Sequence, residues 1–238
     1  MGFLRRLSKI SVYSVYKDLQ LNNWKRESEK MRKAYLADHA VRKLHIGSGG
    51  AILDGWLNVD LEQVDKRVVY MDAGAPYPFP ENTFEFVFSE HLFEHLNLDQ
   101  QLVMLAELRR TLKQGGKARI ATPNLDALLA IRGNDAPIVR EYINWSAEVF
   151  FPKKIAMLGE AVKNEVFVIN NYFYSWGHQF IHNPQSFMAI ARKMGFEKIR
   201  QTSIHESDDP VLRRLETHGN VIGDRFNEME TMVFELEK

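Results

Sequence analysis

Between residues 41 and 123 the chain repeats one pattern: a short, largely apolar run that stops on glycine, an acid or a small polar cluster. Residues 41–46 run into Gly47-Ser48-Gly49-Gly50, residues 56–60 end on Asp60, and residues 67–72 end on Asp72. Residues 84–88 lead into Ser89-Glu90-His91, and a fifth run, 117–121, is stopped by Pro123. Between the fourth and fifth runs, Leu102, Leu105, Leu108 and Leu112 recur at helical spacing over 99–113, with Asp99 near the start and Gly115-Gly116 past the end. Strand-length runs alternating with helical ones predict an α/β fold around a mostly parallel sheet. Ligands of such sheets bind at the carboxyl ends of the strands. The four consecutive run ends are therefore expected to form one binding rim. The spacing is irregular in one respect: about five residues separate Gly50 from Trp56 and about six separate Leu61 from Val68, too few for a helical crossover.

The flanks complete the expected architecture. Residues 1–40 read as an N-terminal helical extension, followed by a domain over 41–238. Within it, residues 125–195 read as a helical segment carrying an aromatic cluster, Tyr172, Phe173, Tyr174, Trp176 and Phe180. Residues 196–204 and 231–236 read as two more strands, antiparallel neighbours that close the sheet. Residues 1–43 hold eleven Lys/Arg against four Asp/Glu, and Phe3, Leu4, Leu7, Ile10 and Val15 can share a helix face. That pattern fits either weak peripheral membrane contact through residues 1–20 or, as favoured here, a helix packed on the domain with a solvated basic face.

Composition narrows the function. A hydrophobic content of 45% indicates a folded chain, and zero formal net charge gives no argument for nucleic acid. The absence of cysteine excludes a thiol nucleophile and fits a reducing compartment. No run is long enough for a transmembrane segment. Arg5 and Arg6 precede no apolar core or cleavage site, so no secretion signal is expected and a cytoplasmic location is.

The Gly47–Gly50 turn is not a dinucleotide fingerprint, because position 52 is Ile where glycine is required. Nor is it a phosphate loop, since no Gly-Lys-Ser/Thr follows. It suits an adenosyl ligand without a pyrophosphate. Glycines admit a bulky ligand close to backbone, and carboxylates at the second and third strand ends can accept from ribose hydroxyls and an adenine amino group.

The combination LHIGSGG, WLNVDL, MDAGAPYPFPENTFEFVFSEHLFEHL and LAELRRTLKQGGKARIATPN resembles the class I S-adenosylmethionine-dependent methyltransferases. It looks most like a small bacterial branch often linked to surface-glycan synthesis. With NPQSFMAIARKMGFEKI, HESDDPVLRRLETH and ETMVFELE the resemblance extends over about 80% of the chain. It implies a Rossmann-like class I methyltransferase sheet with an antiparallel last strand, flanked by helices. The cofactor it implies is S-adenosyl-L-methionine, on Gly47, Ser48, Gly49, Asp60, Leu61, Asp72, Ala73 and Ser89. The acceptor it implies is a small molecule or saccharide, methylated on oxygen or nitrogen. The branch usually has an acid two residues before the first glycine; here that position is His45. Glu206, Ser207, Glu216 and His218 are placed by the same resemblance near the acceptor.

SEHLFEHL, residues 89–96, contains H-x-x-E-H, a zinc-protease spacing. The preceding run is a strand and no distal third ligand is indicated, so a metal-dependent hydrolase using His91, Glu94 and His95 is disfavoured. Related methyltransferases hold Mg²⁺ with E-x-x-E-H at this place; with His91 replacing the first Glu, Glu94 and His95 are expected to be packing residues and no tightly bound metal is expected. Methyl transfer is an in-line displacement that depends on positioning. A hydroxyl nucleophile also needs a base, for which His91 is the first candidate, then His178 and His182. Tyr172, Tyr174 and Trp176 read equally as a stacking platform or as core. The competing class is a non-catalytic binding module, which only His45 supports.

Overall fold

The computed structural model describes residues 12–238, with side chains from Lys17 onward. The sequence reaches the sheet through one long helix, α1 (Val12–Asp38). The strands β1 (Lys43–Ile46), β2 (Leu57–Asp60), β3 (Val69–Tyr70) and β4 (Phe84–Glu90) follow. Helix α2 (Leu98–Thr111) leads directly into β5 (Leu112–Pro123). Five helices come next: α3 (Leu125–Leu129), α4 (Pro137–Phe150), α5 (Pro152–Leu158), α6 (Glu165–Tyr174) and α7 (Pro184–Lys193). Strand β6 (Lys198–Thr202), two short helices, α8 (Gly219–Ile222) and α9 (Asp224–Glu230), and β7 (Thr231–Glu237) complete the chain.

The seven strands form one sheet in the order β3-β2-β1-β4-β5-β7-β6. All pairs are parallel except those of β7, which runs antiparallel to both β5 and β6. This is the architecture expected from the sequence. Two boundaries differ: the third strand shrinks to two residues, and Gly115-Gly116 lie inside the β5 span rather than in a turn before it.

The short connections have a structural consequence. Neither residues 47–56 nor residues 61–68 contain a helix, so apolar strand residues on that side need another cover. Helix α1 supplies it. Its Trp24 is buried and donates from Nε1 to the Val68 carbonyl at 3.1 Å. Ser28 Oγ accepts from the Tyr70 amide at 2.8 Å, and Tyr35 hydroxyl bonds both the Lys43 amide and carbonyl. Tyr35, Met31 and Leu36 join the main core with Leu44, Ile46, Val59 and Val69. Of the apolar residues Phe3, Leu4, Leu7, Ile10 and Val15, the first four lie outside the described residues, as does Val15's side chain.

Helix α2 starts at an Asn97 cap. Asn97 Oδ1 accepts from the Gln100 amide, and Gln100 Oε1 accepts from the Asn97 amide, a reciprocal capping box. Its buried face, Met104, Leu105 and Leu108, packs under the sheet. A second apolar core, including Leu128, Val139, Tyr142, Val168, Tyr172 and Phe226, holds the helices between β5 and β7 together. At the far side, fully buried Arg119 donates to Glu216 Oε1, to Glu235 Oε1 at 2.9 Å and to the Glu206 and Ser203 carbonyls. That nest fixes the segment 203–216 against β5 and β7.

Candidate active site

The first half of the site is built from backbone and short side chains. Strand β1 ends at Gly47, whose φ of +70° is left-handed, and Gly49 has φ +47°. A side chain at 47 would also lie 2.8 Å from Leu92. The two glycines let the loop turn back over the strand ends, where Gly47 and Ser48 amides donate to the Val59 carbonyl. Asp60, at the end of β2, pins the loop from the other side: Oδ2 accepts from the Gly49 amide at 2.8 Å and Oδ1 from the Glu62 amide at 3.0 Å. Asp72 accepts from the Gly74 amide at 2.8 Å, and Ala73 is buried beside it. Leu61 is 51% exposed at this edge. The structure thus brings Gly47, Ser48, Gly49, Asp60, Leu61, Asp72, Ala73 and Ser89 to the carboxyl edge of β1–β4.

The residues of this rim fit an adenosyl ligand on one internal observation. Ser48 Oγ and Ser89 Oγ are buried, 3% and 1% exposed as residues, yet find no hydrogen-bond partner among the described residues. Ser89 is paired with Ile46 at the mouth of the glycine loop. Buried hydroxyls without partners are uncommon, and at the mouth of the glycine loop these two are free to bond a polar ligand.

His45 stands where an acid is usual. It is buried, and Nδ1 lies 3.1 Å from Asn58 Oδ1 on the adjacent strand. Asn58 Nδ2 is used in donating to the Leu53 and Trp56 carbonyls, and Oδ1 also accepts from the Leu53 amide. His45 is therefore the donor, and burial lowers its pKa to about 4, leaving it neutral. The pair braces the tight β1–β2 connection, which has no helix to stabilise it.

The second half is a cavity of about 200 Å³ beyond the ends of β4 and β5. Its walls are aromatic: Tyr142 and Trp145 from α4, Tyr172 from α6, and Trp176. Its floor carries His91, Glu94, His95, His178, His218 and Glu230. Of the four residues 206, 207, 216 and 218, only His218 lines it; Glu216 and the Glu206 carbonyl serve Arg119 instead. Tyr174 faces outward, 85% exposed, because it falls on the outer side of α6 while Tyr172 faces in.

The histidines divide sharply. His91 sits directly after β4 with φ +46°, a strained backbone that aims the ring at the cavity. Its Nδ1 lies 3.1 Å from Glu94 Oε1 and its Nε2 lies 3.2 Å from Thr231 Oγ1. Thr231 gives its own proton to Asn227 Oδ1, so both His91 nitrogens are donors. Burial opposes the charged ring, but the hydrogen bond and charge of Glu94 prevail, and the His91 pKa lies above its usual value. The expectation that His91 acts as a base therefore finds both of its nitrogens engaged. His218 lies over this ring, centroids 3.9 Å apart. Glu90 accepts from the Thr217 and His218 amides and clasps that segment to β4.

His178 is arranged the other way. Its Nδ1 donates to the Tyr172 carbonyl at 2.7 Å, which leaves the Nε2 lone pair as the open position. Burial lowers its pKa, so the ring is neutral. It is carried to the floor by backbone: the Gln179 and Phe180 amides donate to the Glu94 carbonyl, and Gln179 Nε2 donates to the His95 carbonyl at 2.7 Å. His182 does not join the cavity. It is buried between α2 and α7, bonded to Gln101 and Ser186, with a pKa lowered to about 4 by burial. Glu230 accepts from the Tyr142 hydroxyl, and Tyr142 and Tyr172 hydroxyls are 3.0 Å apart. Sequence reasoning missed Tyr142, Trp145 and Glu230: the apolar periodicity of α4 reads as ordinary core, and Glu230, at the end of α9, meets Tyr142 only across 88 positions.

Comparison with known proteins bears on the domain and the fold. A family model described as a methyltransferase domain matches residues 44–120, the stretch from β1 into β5. A solved S-adenosylmethionine-dependent methyltransferase from Archaeoglobus fulgidus is similar in fold, with a TM-score of 0.51 at 15% identity over 96% of this chain and 100% of that one. A phosphoethanolamine N-methyltransferase from Haemonchus contortus gives 0.44 at 17% identity, over 90% of this chain and 52% of that one. A Thermotoga maritima protein titled a possible histamine N-methyltransferase gives 0.45 at 17%, over 95% and 96%. No curated protein sequence matches the chain.

Proposed function

We propose that this chain, an S-adenosylmethionine-dependent methyltransferase by its domain and fold, methylates a hydroxyl or amine of a small molecule or saccharide held in the aromatic cavity. One observation carries the reading: the cavity opens from His91, two residues past Ser89, so it continues the cofactor rim at the strand ends. When bound, S-adenosylmethionine supplies an electrophilic methyl on a sulfonium. Gly47, Ser48 and Gly49 would face its methionine part, Asp60 its ribose, Asp72 and Ala73 its adenine, and Ser89 the reacting end.

The chain's own contribution is positioning and a dry wall. Tyr142, Tyr172 and Trp176 offer flat apolar faces of the kind that sugar rings and aromatic acceptors stack on. His91 is not free to take a proton; it holds Glu94 in place. His178 presents an open imidazole nitrogen to the cavity and is the group on which acceptor deprotonation depends when no ion occupies it. A saccharide acceptor, and with it a role in surface-glycan modification, and a cytoplasmic site of action extend the same reading. Among the described residues no helix is long and apolar enough to cross a membrane.

Calorimetric titration with S-adenosylmethionine, S-adenosylhomocysteine and NAD tests it. Micromolar binding of the first two and none of NAD is expected. Asp60→Ala removes charge-assisted hydrogen bonds worth about 1.5–3 kcal/mol, so its affinity should fall by roughly 10–100-fold. If neither adenosyl ligand binds, the fold serves binding alone and the enzymatic reading fails.

A further inference from the structure

We infer that Glu94, His95 and His178 form a binding site for one divalent transition-metal ion on the floor of the aromatic cavity. The sequence gives only the neighbours Glu94 and His95; the fold adds a third donor from 83 positions further on. One ligand atom from each of the three lies within 4.8 Å of the others. A tetrahedral ion with donors ~2.1 Å away sets them about 3.4 Å apart, a closure that falls to the rings of His95 and His178, since Glu94 is held.

Four features separate this cluster from incidental neighbours. His178 keeps Nε2 available to an ion, because its Nδ1 is tied to the Tyr172 carbonyl. Such an anchor, from the far ring nitrogen to a backbone carbonyl, is the usual support of a metal-bound histidine. The Glu94 carboxylate is likewise held, by His91 on Oε1 and by Thr122 Oγ1 on Oε2 at 3.0 Å, so its orientation is fixed before any ion arrives. The His95 ring meets that of His178 edge-on at 4.9 Å. Finally, the backbone bonds from Gln179 and Phe180 to Glu94 fasten the two donor segments to each other.

The chemistry of the set selects the ion. Two imidazoles and one carboxylate suit zinc, iron, cobalt or nickel, whereas Mg²⁺ and Ca²⁺ prefer all-oxygen surroundings. All three donors line the cavity, so the remaining coordination positions point toward the space assigned to the acceptor. A bound ion takes up the His178 lone pair, and His178 then acts as ligand in place of base. Only this last consequence rests on the methyltransferase reading.

The test uses full-length, untagged protein stripped with a chelator and titrated with Zn²⁺ and with Co²⁺. Expected are about one ion per chain and a visible Co²⁺ absorption spectrum typical of nitrogen ligation. His95→Ala and His178→Ala should each weaken Zn²⁺ binding at least ~100-fold, while His39→Ala, away from the cavity, leaves it unchanged. S-adenosylhomocysteine titration of every variant reports folding and the cofactor site separately. Absence of stoichiometric binding to the wild-type chain overturns the inference. So does undiminished affinity in a His95→Ala/His178→Ala variant that still binds S-adenosylhomocysteine. If ions bind and the adenosyl ligand does not, the metal site stands and the methyltransferase reading falls.

Discussion

The two halves of the rim are made differently. Around β1–β3 the binding edge consists of glycines, one serine and two aspartates, the aspartates fixed by bonds to backbone no more than 11 positions away: Asp60 to Gly49 and Glu62, Asp72 to Gly74. Beyond β4 and β5 the cavity is assembled from long side chains of α4, α6, the 175–178 turn and the segment before β7. Its polar groups reach across 88 positions from Tyr142 to Glu230 and 140 from His91 to Thr231. A local edge tolerates bare loops provided something covers the sheet, which α1 does. A non-local cavity depends on the ties that hold its walls, and those ties include buried charge.

The comparison breaks most visibly at Arg119. Arg119→Met leaves Glu216 buried without its arginine, while Glu235 keeps only Arg200, and an unpaired buried charge costs about 3–5 kcal/mol. Chemical denaturation should show a loss of that size. If the loss stays under ~1 kcal/mol, the acceptor side does not depend on this nest.

On the cofactor side the corresponding group is His45, uncharged where Arg119 is charged. Its folded pKa of about 4 lies below the unfolded value of 6.5. The unfolded chain therefore binds the proton first. The stabilisation is complete above pH 6.5 and is lost as pH falls from 6.5 toward 4, by on the order of 3 kcal/mol. Stability measured across that window in wild type and His45→Gln should differ in slope, the variant being flatter. Equal slopes would mean that His45 protonates in the fold.

The smallest effect separates inward from outward aromatics on α6. Tyr174→Ala, on the exposed side, should change stability by less than about 0.5 kcal/mol. Tyr172→Ala, buried and bonded to Tyr142, should cost about 3 kcal/mol or more. Thermal denaturation of the two variants, side by side, checks which residue belongs to the wall.

What was legible in the sequence follows the same division. Runs of apolar residues stopping on Gly47–Gly50, Asp60, Asp72 and Ser89 are local patterns, and they carried the sheet, its polarity and the cofactor rim. The antiparallel closure by residues 231–236 was legible for the same reason. The missing crossover helices showed as short spacings, but that α1 covers the gap did not, because the match of Trp24 to Val68 and of Ser28 to Tyr70 spans more than forty positions.

Histidine roles were the least legible. SEHLFEHL gives His91, Glu94 and His95 no partners, and a ring's chemistry depends on what each nitrogen touches. Only the folded chain sets Thr231 against His91, Gln101 against His182 and the Tyr172 carbonyl against His178. The sequence by itself determined where a ligand can approach the strand ends, since strand periodicity and turn residues act over a few positions. Tertiary structure alone decided which histidine has both nitrogens engaged, which is sealed in the core and which open onto the cavity. Burial and hydrogen bonding set protonation, and both are properties of neighbours brought together only by folding.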